Sequence, residues 1–360
     1  MAQTVTEQQV LDALRTVIDP DLHRDIVSLG FVKDLRIDGG KVAFVLQLTT
    51  PACPVKDQMK EWCRQALLKV PGVTDVEVDL RASVMAARLG GMERLLPGVR
   101  NVVAVASGKG GVGKSTVAVN VALALQQTGA RVGLLDGDIY GPNVPIMMGI
   151  KGRPSIEQVN GKPRPVERYG LKLLSIGFFI NSDDSPVIWR GPMIHGAFQQ
   201  FMKDFDWGDL DYLIVDLPPG TGDAPLSLSQ LVPLSGVVIV TTPQDVALQD
   251  VYKGVAMFKK LDVPIVGVVE NMSYFVCPHC GETTEIFGKG GGQRVSERMG
   301  IPFLGRVPLD PRVREGGDAG LPIVVADPRS PVAEAFRQVA GAVAAQVSVL
   351  AFTPELKVIQ

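Results

Sequence analysis

Four cysteines in 360 residues are too few for a disulfide scaffold. Charge of one sign is missing too: 36 Lys plus Arg against 38 Asp plus Glu leave a net charge of -2. No long-range attraction to nucleic acid or to an anionic membrane follows from that balance. The N-terminus lacks a basic segment followed by an apolar run. Long apolar spans are absent as well, since runs such as "VVAVA" and "GVVIV" are short and bounded by turn residues, as buried strands are. The expectation is a cytoplasmic chain with reduced thiols that binds neither nucleic acid nor membrane. What the chain does have is punctuation, with 39 Gly and 26 Pro and many turns.

Two rhythms divide the chain. "TEQQVLDALRTVIDP" opens with a capping-box pattern, Thr6 to Gln9, and sets Val10, Leu14, Val17 and Ile18 on one helical face. "FVKDLRI", a "DGG" turn and "KVAFVLQL" read as a hairpin. A helix follows from about Pro54 to Val70, then the alternating strand "VTDVEVDL". Residues 1–81 thus form a small α+β domain of order α-β-β-α-β, and residues 82–98 read as a linker. From 99 to 360 the rhythm becomes strand, loop, helix. "NVVAVAS", "RVGLLD", "DYLIVD", "GVVIVTT" and "PIVGVVE" are continuous apolar runs of the kind that fill a parallel sheet covered on both faces. Helical stretches such as Ser115 to Thr128 and Val246 to Leu261 separate them. The fold class is a doubly wound, mostly parallel α/β domain preceded by the small α+β one, with ligands at the carboxyl ends of the strands.

"SGKGGVGKST" sits between a strand and a helix and satisfies G-x-x-x-x-G-K-[ST] from Gly108 to Ser115. Gly108, Gly110, Gly111 and Gly113 let the backbone N–H groups of the loop, Val112 included, turn toward phosphate oxygens. Lys114 neutralises the β and γ charges of ATP, Ser115 ligates Mg²⁺, and Thr116 follows in the helix start. "DYLIVDLPPGTGD" places Asp216 where a carboxylate holds Mg²⁺ through water, followed by a loop suited to sensing hydrolysis. "RVGLLDGDIYGPN" ends a strand at Asp136 and Asp138; Asp138 is a candidate catalytic residue near the γ-phosphate or a helix cap. No [NT]-K-x-D stretch for guanine follows, so adenine is favoured. Asn271, at a strand end, either contacts the base or caps a loop. Lys109, inside the loop, makes "KGGVGK" resemble the deviant Walker A loop of the MinD/ParA/nitrogenase iron protein class. That resemblance implies a homodimer in which Lys109 reaches the partner's nucleotide.

The cysteines separate by setting. Cys63 falls on the helical stripe Val55, Met59, Trp62, Cys63, Ala66, Leu67 and Val70, which marks a core thiol. Cys53, between prolines before a helix start, is either a reactive or metal-binding thiol with its pKa lowered by N–H groups and Lys56, or a capping residue. Cys277 and Cys280 in "CPHC" suit a redox pair or half of a metal site. A redox pair wants a helix directly after the first thiol, and "GETTEIFGKGGG" cannot open one at once. A metal site wants more ligands than one chain offers there. The dimer implied by Lys109 offers a way to complete it: two chains related by a two-fold axis would bring four thiolates, the ligand set of a [4Fe–4S] cluster.

At this point the whole chain resembles the Mrp/ApbC-type iron–sulfur cluster carrier ATPases. "SGKGGVGKST", "LLDGDIYGPN", "DLPPGTGD" and "ENMSYFVCPHCGE" carry the resemblance in the large domain, and "DPDLHRDIVSLGFVKDL" with "LTTPACPVKDQM" carries it in the small one. It implies a nucleotide-regulated homodimer that accepts a labile cluster from an upstream donor and passes it to apo iron–sulfur proteins. Three rivals stand beside it. A MinD/ParA-like positioning ATPase needs a basic amphipathic helix or DNA patch, and the C-terminal stretch from Ala333 carries only Arg337 and Lys357. A disulfide oxidoreductase would work without ATP. An electron-transfer ATPase like the nitrogenase iron protein has widely spaced cluster cysteines.

Overall fold

The Thr6 hydroxyl accepts from the Gln9 N–H while the Gln9 side chain accepts from the Thr6 N–H, so the capping box opens the helix Glu7–Leu14. The computed structural model describes residues 5–87, 95–139, 141–159, 161–179, 191–220, 222, 231 and 234–352. Among them the chain forms two compact units, Met1–Met85 and Ala86–Gln360. Residues 88–94 of the expected linker, and Thr221 and Asp223 of the expected sensing loop, lie outside the described residues.

In the first unit β1 (Val32–Asp38) pairs antiparallel with β2 (Lys41–Leu48), and β3 (Asp75–Ala82) pairs with β2 in parallel after the helix Lys56–Leu68. Val42, Phe44, Leu46 and Leu48 alternate inward along β2. Val10 and Leu14 of the first helix and Met59, Cys63 and Leu67 of the second are buried with them. Trp62 leaves the expected stripe and stands exposed at 40%.

The second unit starts with β4 (Val102–Ser107) and β5 (Val132–Asp136). A small hairpin follows, β6 (Gln158–Val159) with β7 (Lys162–Pro163), then β8 (Val166–Arg168) and β9 (Leu171–Ser175). Next come β10 (Tyr212–Asp216), β11 (Gly236–Thr241) and β12 (Ile265–Glu270). The hairpin β13 (Phe275–Val276) with β14 (Thr283–Thr284) precedes β15 (Phe303–Arg306). The main sheet runs β15-β12-β11-β4-β10-β5-β9-β8 and is parallel throughout except for β8 on the edge. Every residue of β4, β5, β10 and β11 is buried, which is what the continuous apolar runs require of strands covered on both faces.

The helix Lys114–Gln127 packs on the central strands, and the 22-residue helix Pro331–Phe352 packs on it and on β12 and β15. By length and composition that last helix matches a membrane span, yet 56% of its most apolar window is buried inside this unit. It is a core helix of the domain. The strand order places the ends of β4, β10 and β5 side by side, with β12 one strand further across β11, and Asp136 and Asp216 are register partners across β5 and β10. Ligand sites form at this rim in open parallel sheets.

Candidate functional site: the phosphate loop and the thiol hairpin

β4 ends at Ser107, whose hydroxyl donates to the Lys109 carbonyl at 3.0 Å and starts the turn. Gly111 and Gly113 take φ of +81° and +79°, the left-handed region that glycine enters without strain. A Cβ on Gly110 or Gly111 would meet nothing within 4 Å, so the inner side of the loop is open. A Cβ on Gly113 would instead collide with the Asn271 amide nitrogen. Among the described residues no protein group accepts from the N–H groups of Gly110 to Ser115. Unspent donors at a helix N-terminus form an anion cradle. The loop, Asp138, Asn143, Asn271, Met272 and Asp310 line a cavity of about 650 Å³, a size that suits a nucleotide.

Lys114 is buried, and its ammonium donates to Asp216 Oδ1 at 2.6 Å and to Ser115 Oγ at 3.2 Å. Asp138 Oδ2 stands 3.7 Å from the same ammonium. The helix nearest after it, Val144–Met147, takes Asn143 as its N-cap residue, so Asp138 faces the lysine and caps no helix there. Burial pushes the Asp216 carboxyl up, and Lys114 pulls it back. Asp216 Oδ2 is buried with no hydrogen-bond partner among the described residues. An orphaned carboxylate oxygen beside Ser115 fits a Mg²⁺ ion held through water.

Asp136 is wholly buried across the strand pair from Asp216. Burial first, and the Asp216 charge second, push its pKa up to about 8. It accepts from Ser175 Oγ at 2.9 Å and from the Asp138 N–H at 3.1 Å. Three carboxyl groups share one ammonium, so the cheapest arrangement leaves Asp136 protonated at neutral pH. Sequence reasoning placed Asp136 at the strand end but gave it no role; its partner Ser175 lies on β9, a strand the apolar runs did not reveal. Lys109 lines the cavity, and among the described residues its ammonium makes no ion pair. Asn271 also lines the cavity, where its Nδ2 donates to the Val112 carbonyl at 2.9 Å and ties the strand end of β12 to the loop.

The other expected site lies beyond that strand end. Cys277 and Cys280 occupy the turn between β13 and β14, closed by Cys277 N–H to the Glu282 carbonyl and Gly281 N–H to the Cys277 carbonyl, each 2.9 Å. Both are free thiols; Cys277 is half-buried and Cys280 exposed. The backbone N–H of Cys280, then that of His279, hold the Cys277 thiol below its usual range. A thiol whose ionised form is favoured, in a turn open to solvent, suits a metal ligand. No helix follows the pair, as a redox C-x-x-C requires. Among the described residues no three His, Cys, Asp or Glu side chains come together as a metal site.

Cys53 corrects one expectation. It is buried, and burial raises its pKa, with Asp21 and Asp19 adding to the rise. The Val55 N–H and Lys56 pull downward, as the sequence implied, but desolvation of the thiolate outweighs them. Cys63 is the core thiol its spacing indicated, pushed up to about 12 by burial.

A strand-loop-helix phosphate cradle on a doubly wound sheet, with carboxylates at the neighbouring strand ends, defines a P-loop NTPase. A family model described as NUBPL iron-transfer P-loop NTPase matches residues 98–344, and the chain belongs to that family. A second, described as iron-sulfur cluster assembly protein, matches residues 7–80. A Synechocystis protein named iron-sulfur cluster carrier protein is 49% identical over 353 residues, 96% of this chain and 99% of that one. A protein of the same name from Deinococcus radiodurans is 52% identical over 340 residues, 94% of this chain and 95% of that one. Among solved structures, the nucleotide-binding protein of Archaeoglobus fulgidus in complex with ADP has a TM-score of 0.58 and 38% identity, covering 67% of this chain and 93% of that one. The cell division ATPase MinD of Pyrococcus furiosus, at TM-score 0.51 and 23% identity over 67% of this chain and 97% of that one, shares the fold.

Proposed function

We propose that the protein is an ATP-hydrolysing iron–sulfur cluster carrier. Two chains share one labile [4Fe–4S] cluster through Cys277 and Cys280, accept it from an upstream donor and pass it to apo iron–sulfur proteins in the cytoplasm. The observation that carries this reading is the thiol pair itself. Two free, solvent-reachable cysteines two residues apart, the first with its thiol held below the usual range, form half a ligand set, on the same unit as a nucleotide cavity. A second copy is the simplest source of the other half. Relatives named as cluster carriers across 94–96% of this chain support the cargo.

For the nucleotide, the loop N–H groups and Lys114 would hold the phosphates, and Lys109 would reach the partner's nucleotide. Ser115 and Asp216 would hold Mg²⁺, which supplies charge neutralisation at the β and γ phosphates. Binding phosphate draws the Lys114 ammonium off Asp216, freeing that carboxylate for its second role. Asp138 orients the attacking water, and Asn271 keeps the loop in register. Hydrolysis serves to load or release the cargo, so turnover is slow.

Anaerobic reconstitution with ferrous iron and sulfide, followed by incubation with an apo [4Fe–4S] enzyme, tests the reading. The expected result is a bound cluster and regained enzyme activity. A cluster that persists after Cys277→Ala and Cys280→Ala together, or a loaded protein that transfers none, would overturn it.

A further inference from the structure

Glu270, the last residue of β12, is a wholly buried carboxylate that the nucleotide site does not use. Its two oxygens hold different parts of the chain. Ser273 Oγ donates to Oε1 at 2.5 Å, and the Gly292 N–H donates to Oε2 at 2.6 Å. Short bonds to a charged acceptor are the strong kind. Gly292 lies in the first turn of the helix Gly291–Met299, whose free N–H groups favour a negative charge. Any side chain at that position would crowd the carboxylate, since a Cβ would stand 2.9 Å from Glu270 Cβ.

Ser273 and Gly292 bracket residues 274–291, the excursion that carries both thiols. One residue beyond Glu270, Asn271 holds the Val112 carbonyl of the phosphate loop. Two consecutive positions, Glu270 and Asn271, therefore touch both stems of the thiol excursion and the loop.

We propose that Glu270 is a positioning residue that couples the phosphate loop to the thiol hairpin, clamping both stems of the hairpin to the strand end that holds the loop. When the loop closes on phosphate, a shift of the Val112 carbonyl moves Asn271, and the clamp passes the shift to Cys277 and Cys280. A rigid, doubly bonded lever transmits displacement where a free loop would absorb it. This coupling rests on the reading of the two thiols as the cargo site.

The test labels the full apo chain with a maleimide, with and without MgATP, and reads the rate at Cys277 and Cys280 by peptide mass spectrometry. Cys53 and Cys63 are buried and serve as internal controls. The expected wild-type response to MgATP is about fivefold or more in either direction. Glu270→Leu offers neither stem an acceptor, so both bonds are lost and the response falls below about twofold. Its ATP affinity, measured by equilibrium binding, stays at the wild-type value. Ser273→Ala removes the first stem's bond to Glu270, the Ser273 N–H staying on the Val307 carbonyl, and is expected to lower the response likewise; it decides the matter alone if Glu270→Leu does not fold. No response in the wild type, or an undiminished one in the variants, overturns the coupling. Iron and sulfide content of reconstituted wild type is read separately, so a failure of the cluster reading shows there and leaves the labelling result standing.

Discussion

Lys114 holds together a set of charges that would otherwise repel. Its ammonium is 2.6 Å from Asp216 and 3.7 Å from Asp138, with Asp136 protonated behind them. The same lysine serves as counterion for the protein's own acids and, on the proposed reading, would anchor the incoming phosphate. Lys114→Ala is therefore expected to weaken ATP binding by about 2–5 kcal/mol, the cost of truncating one partner of a desolvated charge pair. Lys109 has no such internal task. Lys109→Ala should leave equilibrium binding within about threefold of wild type while turnover falls by ~10³, the range for a cation supplied across an interface. Binding and steady-state hydrolysis on both variants check the split. Normal turnover by the Lys109 variant would remove the role across the dimer.

At the scale of elements, the helix Lys56–Leu68 gives a prediction in pH. The Cys63 thiol on its buried face is pushed up to about 12, whereas an unfolded thiol ionises near about 8.5. Below the lower value both states keep the proton. Between the two the unfolded chain loses it and the folded chain keeps it, so stability falls as pH rises, by ~1.4 kcal/mol per pH unit. Cys63→Ala should be less stable at pH 7 by about 1 kcal/mol for the lost burial, and the gap should close as pH rises above about 9. Urea unfolding followed by circular dichroism measures it; a constant gap would contradict the buried thiol.

Elements also show what the sequence could and could not reveal. β4, β5, β10, β11 and β12 announced themselves because each is apolar on both faces. β9, "LKLLS", puts Lys172 in mid-strand, where its ammonium reaches the Trp207 carbonyl at 2.6 Å, so the run is broken to the eye. β8 is a three-residue antiparallel edge with Glu167 and Arg168 exposed, and it carries no buried-strand pattern. The phosphate loop and the C-x-x-C pair were legible because their spacing is local. Asp136 and Glu270 were not, since their partners Ser175 and Gly292 are brought in by the fold and a carboxylate at a strand end reads the same with or without them. Cys53 misled because nearby N–H groups and Lys56 are visible in sequence while desolvation is not.

At the scale of the whole molecule the central claim is an unfinished site that a second copy completes. One chain offers two thiols, both reachable from solvent, and among its described residues no third ligand joins them. A cluster held by four thiolates then requires two chains, and an exposed seat between chains makes the cluster easy to give away. On the proposed reading, ATP at the strand ends and thiols on the hairpin beyond β12 would lie on one unit, which would let nucleotide state and grip on the cargo be set together. Native mass spectrometry of the anaerobically reconstituted protein, kept oxygen-free into the gas phase, reads the claim in a single mass. The account predicts two chains carrying about four irons and four sulfides, with no such species from Cys277→Ala or Cys280→Ala. A cluster of that mass on a single chain, or on a dimer lacking both cysteines, would contradict it.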